Sequence, residues 1–239
     1  MLIDMEPRKK FKAVLFDMGG VLFRYKDPSA YDRLMMASLN NREIAKGLQN
    51  FDHGILSVSE LKHLLREVMP GLPENVDDIE NAKVENHAIL NHDILRIVTT
   101  LRQHGLKAAI VTNNGYWTPK KERTVLISDT SNFDLVIESC KLGMRKPHPE
   151  IYRFAANQLR LKPQDCIFVD DMELNCRGAA DAGMTPIFIK NGKDDCRSVI
   201  IQLEHLLDIP LLENLEVVTQ SAEIPIQIYL GNSVNYSRK

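Results

Sequence analysis

The sequence is most informative at Lys12-Ala-Val-Leu-Phe-Asp17-Met-Gly-Gly-Val-Leu22, where an apolar run delivers one acid into a glycine pair. Residues 13–16 predict a buried strand with Asp17 at its carboxyl end. A carboxylate in that place is costly to desolvate unless it contacts a cation or takes part in chemistry. Taken alone, Asp17 is equally compatible with a turn-forming acid before Gly19 and Gly20.

Other short apolar runs along the chain alternate with longer segments of helical pattern. The predicted strands are residues 13–16, 107–111, 135–137, 166–169 and 186–189. The predicted helices are residues 93–104, 119–126, 149–161, 173–182 and 195–207. Nearly continuous apolarity indicates strands that are covered on both faces. The repeated β-α alternation therefore predicts an α/β fold with a doubly wound, mainly parallel sheet.

Residues 25–92 interrupt this alternation, with no convincing strand and at least two amphipathic helical stretches. One stretch begins at the capping box Ser57-Val-Ser-Glu60 and ends at the breaker cluster of residues 69–73. A helical insertion into the core is therefore expected. The predicted units are a core of residues 11–24 and 93–209, a helical cap of residues 25–92 and a C-terminal tail of residues 210–239. For the tail we favour a flexible segment over an edge strand or the start of a further domain.

Composition limits the classes of partner and the location. Charged residues make up 26% of the chain and the net charge is −2, so no global field favours nucleic acid or an anionic membrane. No apolar run approaches the ~18 residues of a membrane span. The first ten residues lack the apolar segment of a signal peptide, and the cysteines lack metal-ligand or disulfide spacing. A soluble, cytoplasmic protein is expected.

Polar residues come at or after three further predicted elements. Thr112 ends the run Ala-Ala-Ile-Val-Thr, Lys146 precedes Pro147 on a loop before a helix, and Asp170-Asp171 follow an apolar strand. Ligands of open α/β sheets bind beyond the carboxyl ends of the strands, so Asp17, Thr112 and Asp171 are expected to share one edge. Adjacent carboxylates repel unless a cation holds them, and Mg²⁺ is the natural candidate.

In this order, and around an inserted helical segment, the four motifs closely resemble those of the haloacid dehalogenase superfamily. The resemblance covers about residues 11–209 and is closest to the dehalogenase-like branch, which includes the phosphatase-type N-terminal domain of epoxide hydrolases. It implies a Rossmann-like core with a small helical cap and Mg²⁺ as the cofactor. It also implies a small phosphorylated molecule as the partner, without nucleic acid or membrane; a homodimer is left open.

The same resemblance implies a role for each matching residue. The catalytic residues would be Asp17 as the nucleophile that forms an aspartyl-phosphate, Thr112 as a donor to a phosphoryl oxygen, and Lys146 as the neutralising cation. The substrate-binding residues would be Asn113 and Gly20. The metal ligands would be Asp17, the carbonyl of Gly19, Asp171 directly and Asp170 through water, with Asn175 in support.

Gly19 departs from the family pattern. Family phosphatases usually carry a second Asp at this position, which protonates the leaving group and then activates water. General acid–base catalysis of this kind contributes about 10²–10⁴-fold. A slow phosphatase that prefers good leaving groups is therefore expected, unless a cap residue supplies the proton. The acids and the histidine in or near the insertion are the candidates, namely Asp27, Asp32, His53 and Glu60.

Three other activities stay open. A catalytically silent domain would keep these sites and bind a phosphorylated ligand or a protein partner. A haloacid dehalogenase would attack carbon through Asp17 without Mg²⁺, although the retained Asp170-Asp171 pair argues against it. A phosphonate-cleaving enzyme would need a Schiff-base lysine in the insertion, where nothing marks a lysine as desolvated. The lysines in question are Lys26, Lys46, Lys62 and Lys83.

Overall fold

The computed structural model describes residues 11–68, 79–189 and 196–212. The strands within these ranges are β1 (Ala13–Phe16), β2 (Phe23–Tyr25), β3 (Ala88–Leu90), β4 (Lys107–Thr112), β5 (Leu135–Glu138), β6 (Cys166–Asp170) and β7 (Thr185–Phe188). The helices there are α1 (Pro28–Asn40), α2 (Arg42–Asp52), α3 (Val58–Arg66), α4 (Val84–His87), α5 (His92–Gln103), α6 (Ser139–Leu142), α7 (Pro149–Gln158), α8 (Glu173–Ala182) and α9 (Cys196–Leu207). A 3-10 turn spans Pro163–Asp165.

The main sheet is parallel and has the strand order β5-β4-β1-β6-β7. The first strand is therefore central, and Leu15 of β1 lies between Ala109 of β4 and Phe168 of β6. Each of the predicted strands is present, within a residue or so of its expected bounds. The prediction of an α/β fold with a doubly wound, mainly parallel sheet is confirmed.

Alternate residues of the central strands face opposite sides of the sheet. Val14 and Phe16 belong to a core shared with α5 and α9, whereas Ala13 and Leu15 belong to a second core shared with α7 and α8. All four side chains are fully buried, as expected where helices cover both faces of a parallel sheet. This packing fixes the direction of β1 and hence the place where Asp17 leaves the sheet.

The region between β1 and β4 holds helices α1, α2 and α3, as its amphipathic pattern predicted. The capping box is formed, with the Ser57 amide donating to Glu60 Oε2 at 2.7 Å. The expectation of no strand there is wrong, because β2 and β3 pair antiparallel. Two strands of three residues are too short to show an alternating pattern. The breaker cluster of residues 69–73 and the tail from residue 213 lie outside the described residues, and the domain boundaries stay a prediction.

The predicted helix over residues 119–126 is also wrong. The chain folds back on itself there, with Trp117 N donating to Arg123 O at 3.1 Å and Val125 N donating to Gly115 O at 2.8 Å. These hydrogen bonds between two segments of the same chain use backbone groups that a helix would need for its own hydrogen bonds. The contacts between the segments therefore override the local helical pattern. In the described ranges, no helix is both long and apolar enough to cross a membrane.

Candidate active site

The carboxyl ends of the central strands bring the predicted acids together. Asp17 directly follows β1, and Asp170 ends the neighbouring strand β6. Carboxylate oxygens of Asp17, Asp170 and Asp171 all lie within 4.8 Å of one another. Acids from two separate segments of the sequence thus form one acidic cluster, at the edge where α/β sheets bind ligands.

Lys146 is the cation of this cluster. Its Nζ lies 2.7 Å from Asp17 Oδ1 and 2.7 Å from Asp170 Oδ2, and its side chain is 1% exposed. Burial alone would lower the pKa of Lys146, but the two carboxylates outweigh burial and raise it. The ammonium is therefore charged, and it balances one of the three negative charges that fully ionised acids would place here.

The loop that carries Lys146 is held from two sides. The Asn113 side chain accepts from Lys146 N at 2.8 Å and donates to Lys146 O at 3.0 Å. On the other side, helix α8 approaches so closely that a Cβ on Gly178 would overlap the Pro147 carbonyl. Asn113 was predicted to bind substrate. Its side chain holds the lysine loop, and the contact expected from its backbone N–H stays a prediction.

Asp170 is the most fully engaged carboxylate of the cluster. Oδ1 accepts from Met172 N at 2.8 Å, and Asn175 Nδ2 donates to both oxygens at 3.0 and 3.2 Å. Asn175 is itself anchored, because the buried Tyr152 hydroxyl donates to its carbonyl at 2.7 Å. With Lys146 on Oδ2 as well, Asp170 fits the supporting role predicted for it better than that of a direct metal ligand.

The acids have excess negative charge. Burial, followed by the charge of Asp170, raises the pKa of Asp17 to about 7 even though Lys146 opposes the shift. Burial, Asp17 and Asp170 together raise the pKa of Asp171 to about 8. A hard divalent cation with oxygen ligands would relieve this repulsion, so the donor set fits Mg²⁺. Asp17, Asp171 and the Gly19 carbonyl are the candidate ligands.

Gly20 makes the close approach of Asp171 possible. Its φ of +72° lies in the left-handed region, and a Cβ there would overlap the Asp171 carboxylate. Glycine is therefore required for two independent reasons, the backbone conformation and the space. The predicted role of Gly20 in substrate binding stays a prediction.

Thr112 ends β4, which pairs with β1, and it is buried. Among the described residues, its hydroxyl makes only a long hydrogen bond of 3.5 Å, to the carbonyl of Asn113. A bond of that length is weak, so the hydroxyl can turn toward a phosphoryl oxygen at little cost. The position agrees with the predicted role, and the role itself stays a prediction.

Two tyrosines from the inserted region face the acids. The Tyr25 hydroxyl lies 3.0 Å from the point where a Cβ on Gly19 would stand. Its ring stacks on Tyr31, with centroids 5.2 Å apart and an interplanar angle of 13°. Burial, then Asp171 and Asp17, raise the pKa of the Tyr25 phenol, so it keeps its proton. Sequence reasoning missed both rings, because only folding brings β2 back to the cluster.

The four residues proposed from sequence as proton donors lie outside the acidic cluster, and three of them contact other groups. Asp27 caps α1 by accepting from Ala30 N at 3.1 Å, and Glu60 closes the capping box with Ser57. His53 Nδ1 lies 2.7 Å from Gln49 O, and Asp32 is exposed. None of these four is among the groups of the acidic cluster in the described residues.

The insertion also contacts the loop next to Lys146. Arg145 donates from Nε at 2.9 Å and from Nη2 at 2.8 Å to Asp52 Oδ2 at the end of α2. Beside it, Phe51 lies where a Cβ on Gly115 would stand. Burial raises the pKa of Asp52 although Arg145 opposes the shift. This ion pair joins the insertion to the loop that carries Lys146.

Comparison with known proteins identifies the family. The model of the haloacid dehalogenase-like hydrolases matches residues 11–183, and the chain belongs to that family. Bifunctional epoxide hydrolase 2 from Rattus norvegicus is 33% identical over 140 residues, which are 56% of this chain and 24% of the relative. Glyceraldehyde 3-phosphate phosphatase from Methanopyrus kandleri is 32% identical over 102 residues, which are 42% of this chain and 43% of the relative. The chain spans about a quarter of the epoxide hydrolases it matches.

Solved structures agree on the fold. A family enzyme from Bacteroides thetaiotaomicron, in complex with magnesium and inorganic phosphate, superposes with a TM-score of 0.55 at 20% identity, covering 79% of this chain and 98% of that one. L-2-haloacid dehalogenase from Xanthobacter autotrophicus, with chloropropionic acid covalently bound, gives 0.55 at 20% identity, with 87% and 88% covered. At this identity the likeness shows the fold alone.

Proposed function

We propose that this protein is a magnesium-dependent phosphatase that acts on a small phosphorylated metabolite through an aspartyl-phosphate at Asp17. The observation that carries the proposal is the buried cluster in which Lys146 lies 2.7 Å from both Asp17 and Asp170. A buried cation lies between two acids, beside a third acid, Asp171, that has no ion pair within the described part of the chain. This arrangement is poorly explained as a stabilising device, because buried ion pairs are costly to desolvate.

Each side chain has a part in the transfer. The described contacts of Asp17, from Lys146 and from Met18 N at 2.6 Å, both end on Oδ1, so Oδ2 is the attacking oxygen. Lys146 offsets the repulsion between this carboxylate and the incoming phosphate dianion. Thr112 orients a phosphoryl oxygen as a neutral donor. Asp170 and Asn175 keep the lysine in place.

Asp17, Asp171 and the Gly19 carbonyl would hold the Mg²⁺ ion, with Asp170 acting through water. Bound there, the ion supplies positive charge that stabilises the phosphoryl group as it is transferred. The raised pKa values of Asp17 and Asp171 support this assignment, since burial first, and then the neighbouring acids, disfavour ionised carboxylates that a cation would stabilise.

The relatives favour a phosphate ester over a halogenated acid as the substrate. Phosphatases are among them, including the glyceraldehyde 3-phosphate phosphatase described above and a flavin mononucleotide hydrolase from Arabidopsis thaliana. A dehalogenase is the second candidate, because the Xanthobacter enzyme shares the fold. A dehalogenase would not need the acidic cluster of Asp17, Asp170 and Asp171 to hold a metal ion. The presence of this cluster therefore favours the phosphatase over the dehalogenase.

Hydrolysis of an aryl phosphate with and without Mg²⁺ tests the proposal. The purified protein is expected to turn over the substrate only with Mg²⁺, and Asp17→Asn is expected to abolish turnover. Asp93→Asn, an exposed acid on α5, is the matched control. Release of halide from a 2-haloacid without Mg²⁺ would indicate the dehalogenase. No turnover, together with a higher Tm in Mg²⁺, would indicate a silent binding domain.

A further inference from the structure

Gly19 leaves a space that another side chain fills. Gly19 does not adopt the left-handed backbone region, so its conformation would accept an Asp. The space is tight, because a Cβ at Gly19 would stand only 3.0 Å from the Tyr25 hydroxyl, which would have to give way by a few tenths of an ångström. The carboxyl group of an Asp begins one bond beyond Cβ. The phenol oxygen therefore lies within the space that the carboxyl group of an Asp at this position could reach.

The Tyr25 hydroxyl is also available as a donor. Among the residues that the structure describes, no hydrogen-bond partner engages it. The ring is fixed by its neighbours, with Phe23 edge-on at 5.2 Å and Tyr31 stacked at 5.2 Å. Tyr31 is held in turn, since its hydroxyl lies 3.6 Å from Met172 Sδ. A rigid ring whose O–H lies beside Gly19, two residues after Asp17, is a preorganised donor.

We propose that the Tyr25 hydroxyl donates the proton to the leaving-group oxygen, in place of the carboxyl that Gly19 lacks. This inference rests on the proposed phosphatase function and names a further catalytic residue for it. Tyr25 belongs to the inserted region, so the proton donor and the nucleophile come from different parts of the fold. The sequence alone does not connect them.

The proton and electron balance of the two half-reactions is complete. In the first, Asp17 Oδ2 bonds to phosphorus while the bond from phosphorus to the leaving oxygen breaks. The leaving oxygen keeps the electron pair and takes the Tyr25 proton, which gives the alcohol and a phenolate. In the second, water attacks the phosphorus of the aspartyl-phosphate, its proton returns to the phenolate, and phosphate and the free Asp17 carboxylate are released.

A comparison of leaving groups tests the donor directly. Tyr25→Phe removes only the oxygen and preserves both ring contacts. We expect kcat/KM to fall about 10²-fold for an alkyl phosphate, which needs the proton, and far less for a nitrophenyl phosphate, which does not. The ratio of the two rates is independent of the folded fraction. Tyr116→Phe, which removes a phenol oxygen that lies by Cys140 and outside the acidic cluster, is expected to keep the wild-type ratio.

The double variant Gly19→Asp/Tyr25→Phe provides the second arm. Without the phenol oxygen, the contacts of a Cβ at Gly19 begin at 3.8 Å, an ordinary distance, so the Asp fits and is expected to recover alkyl phosphate turnover. Gly19→Asp alone is expected to gain less alkyl phosphate turnover, because the Tyr25 hydroxyl crowds the new side chain. If Tyr25→Phe lowers kcat/KM equally for both substrates, or for neither, the role of Tyr25 is overturned and the proposed function is not. Absence of all phosphatase activity in the wild type would overturn the proposed function itself.

Discussion

Replacing Gly20 by Ala should impair Mg²⁺ binding by an effect that can be measured separately from the effect on the stability of the fold. The Cβ would come closer than 3.0 Å to Asp171 Oδ2, whereas ordinary contacts begin at 3.4 Å. The carboxylate must therefore retreat by at least the 0.4 Å between these distances. Ligand distances in metal sites hold to about 0.2 Å, so Asp171 would no longer coordinate well. We expect most of the Mg²⁺ affinity to be lost.

A second effect of Gly20→Ala is separable from the first. An Ala at a φ of +72° is strained by about 1–2 kcal/mol whatever its surroundings. Gly105→Ala is the matched control, because Gly105 has a φ of +79° and nothing within 4 Å of its Cβ position. Both variants should lose a similar free energy of unfolding from strain. Only Gly20→Ala should also lose the stabilisation by Mg²⁺.

Thermal unfolding with and without Mg²⁺ measures this difference. At a concentration of 100 times its Kd, a ligand stabilises the folded state by about 2.7 kcal/mol. The wild type and Gly105→Ala should show this gain, and Gly20→Ala should show little of it. An unchanged Mg²⁺-dependent rise of Tm in Gly20→Ala would refute the assignment of Asp171 as a ligand.

Three further perturbations test the electrostatics and packing of the site. Lys146→Met should lower the free energy of unfolding by about 3–5 kcal/mol at neutral pH, because it leaves buried acids without their cation; urea denaturation would show no change if the ion pairs were unimportant. Without metal, stability should fall as the pH rises from about 4 to about 8, since the folded pKa values of Asp17 and Asp171, about 7 and about 8, exceed the unfolded value of 3.8. Mg²⁺ should therefore stabilise more at pH 8 than at pH 5, and a flat or rising metal-free profile in urea titrations would contradict this. Gly178→Ala should destabilise by about 1–3 kcal/mol through its overlap with Pro147; if the site had room, the same urea assay would show a gain of up to about 1 kcal/mol from helix propensity.

Much of the fold could be predicted because it depends on local pattern. Four consecutive apolar residues before Asp17 suffice to indicate a strand covered on both faces, and that strand is central in the sheet. The adjacent acids Asp170 and Asp171 likewise indicated a cation site. Their convergence with Asp17 followed from a general property of parallel sheets, whose carboxyl ends share one edge.

The errors arose where non-local contacts decide the structure. The segment at 119–126 has a helical pattern, yet its amides bond across the chain to residues before Pro119. Tyr25 is a residue of a three-residue strand with no distinguishing pattern, and its relation to Gly19 exists only in three dimensions. By residue type, the proton donors that the insertion offers are carboxylic acids and a histidine, and nothing in the sequence marks a phenol for this role.

In the proposed reaction, Asp17 carries the phosphoryl group. The most direct test uses an aryl phosphate that is isotopically labelled in its phosphoryl group. The Mg²⁺-loaded protein is quenched with acid during turnover, and the peptide around Asp17 is analysed by mass spectrometry. Label on Asp17 that appears before phosphate release, and is absent in Asp17→Asn, is the predicted result. Phosphate release at the wild-type rate by Asp17→Asn, with no labelled peptide, would contradict the claim.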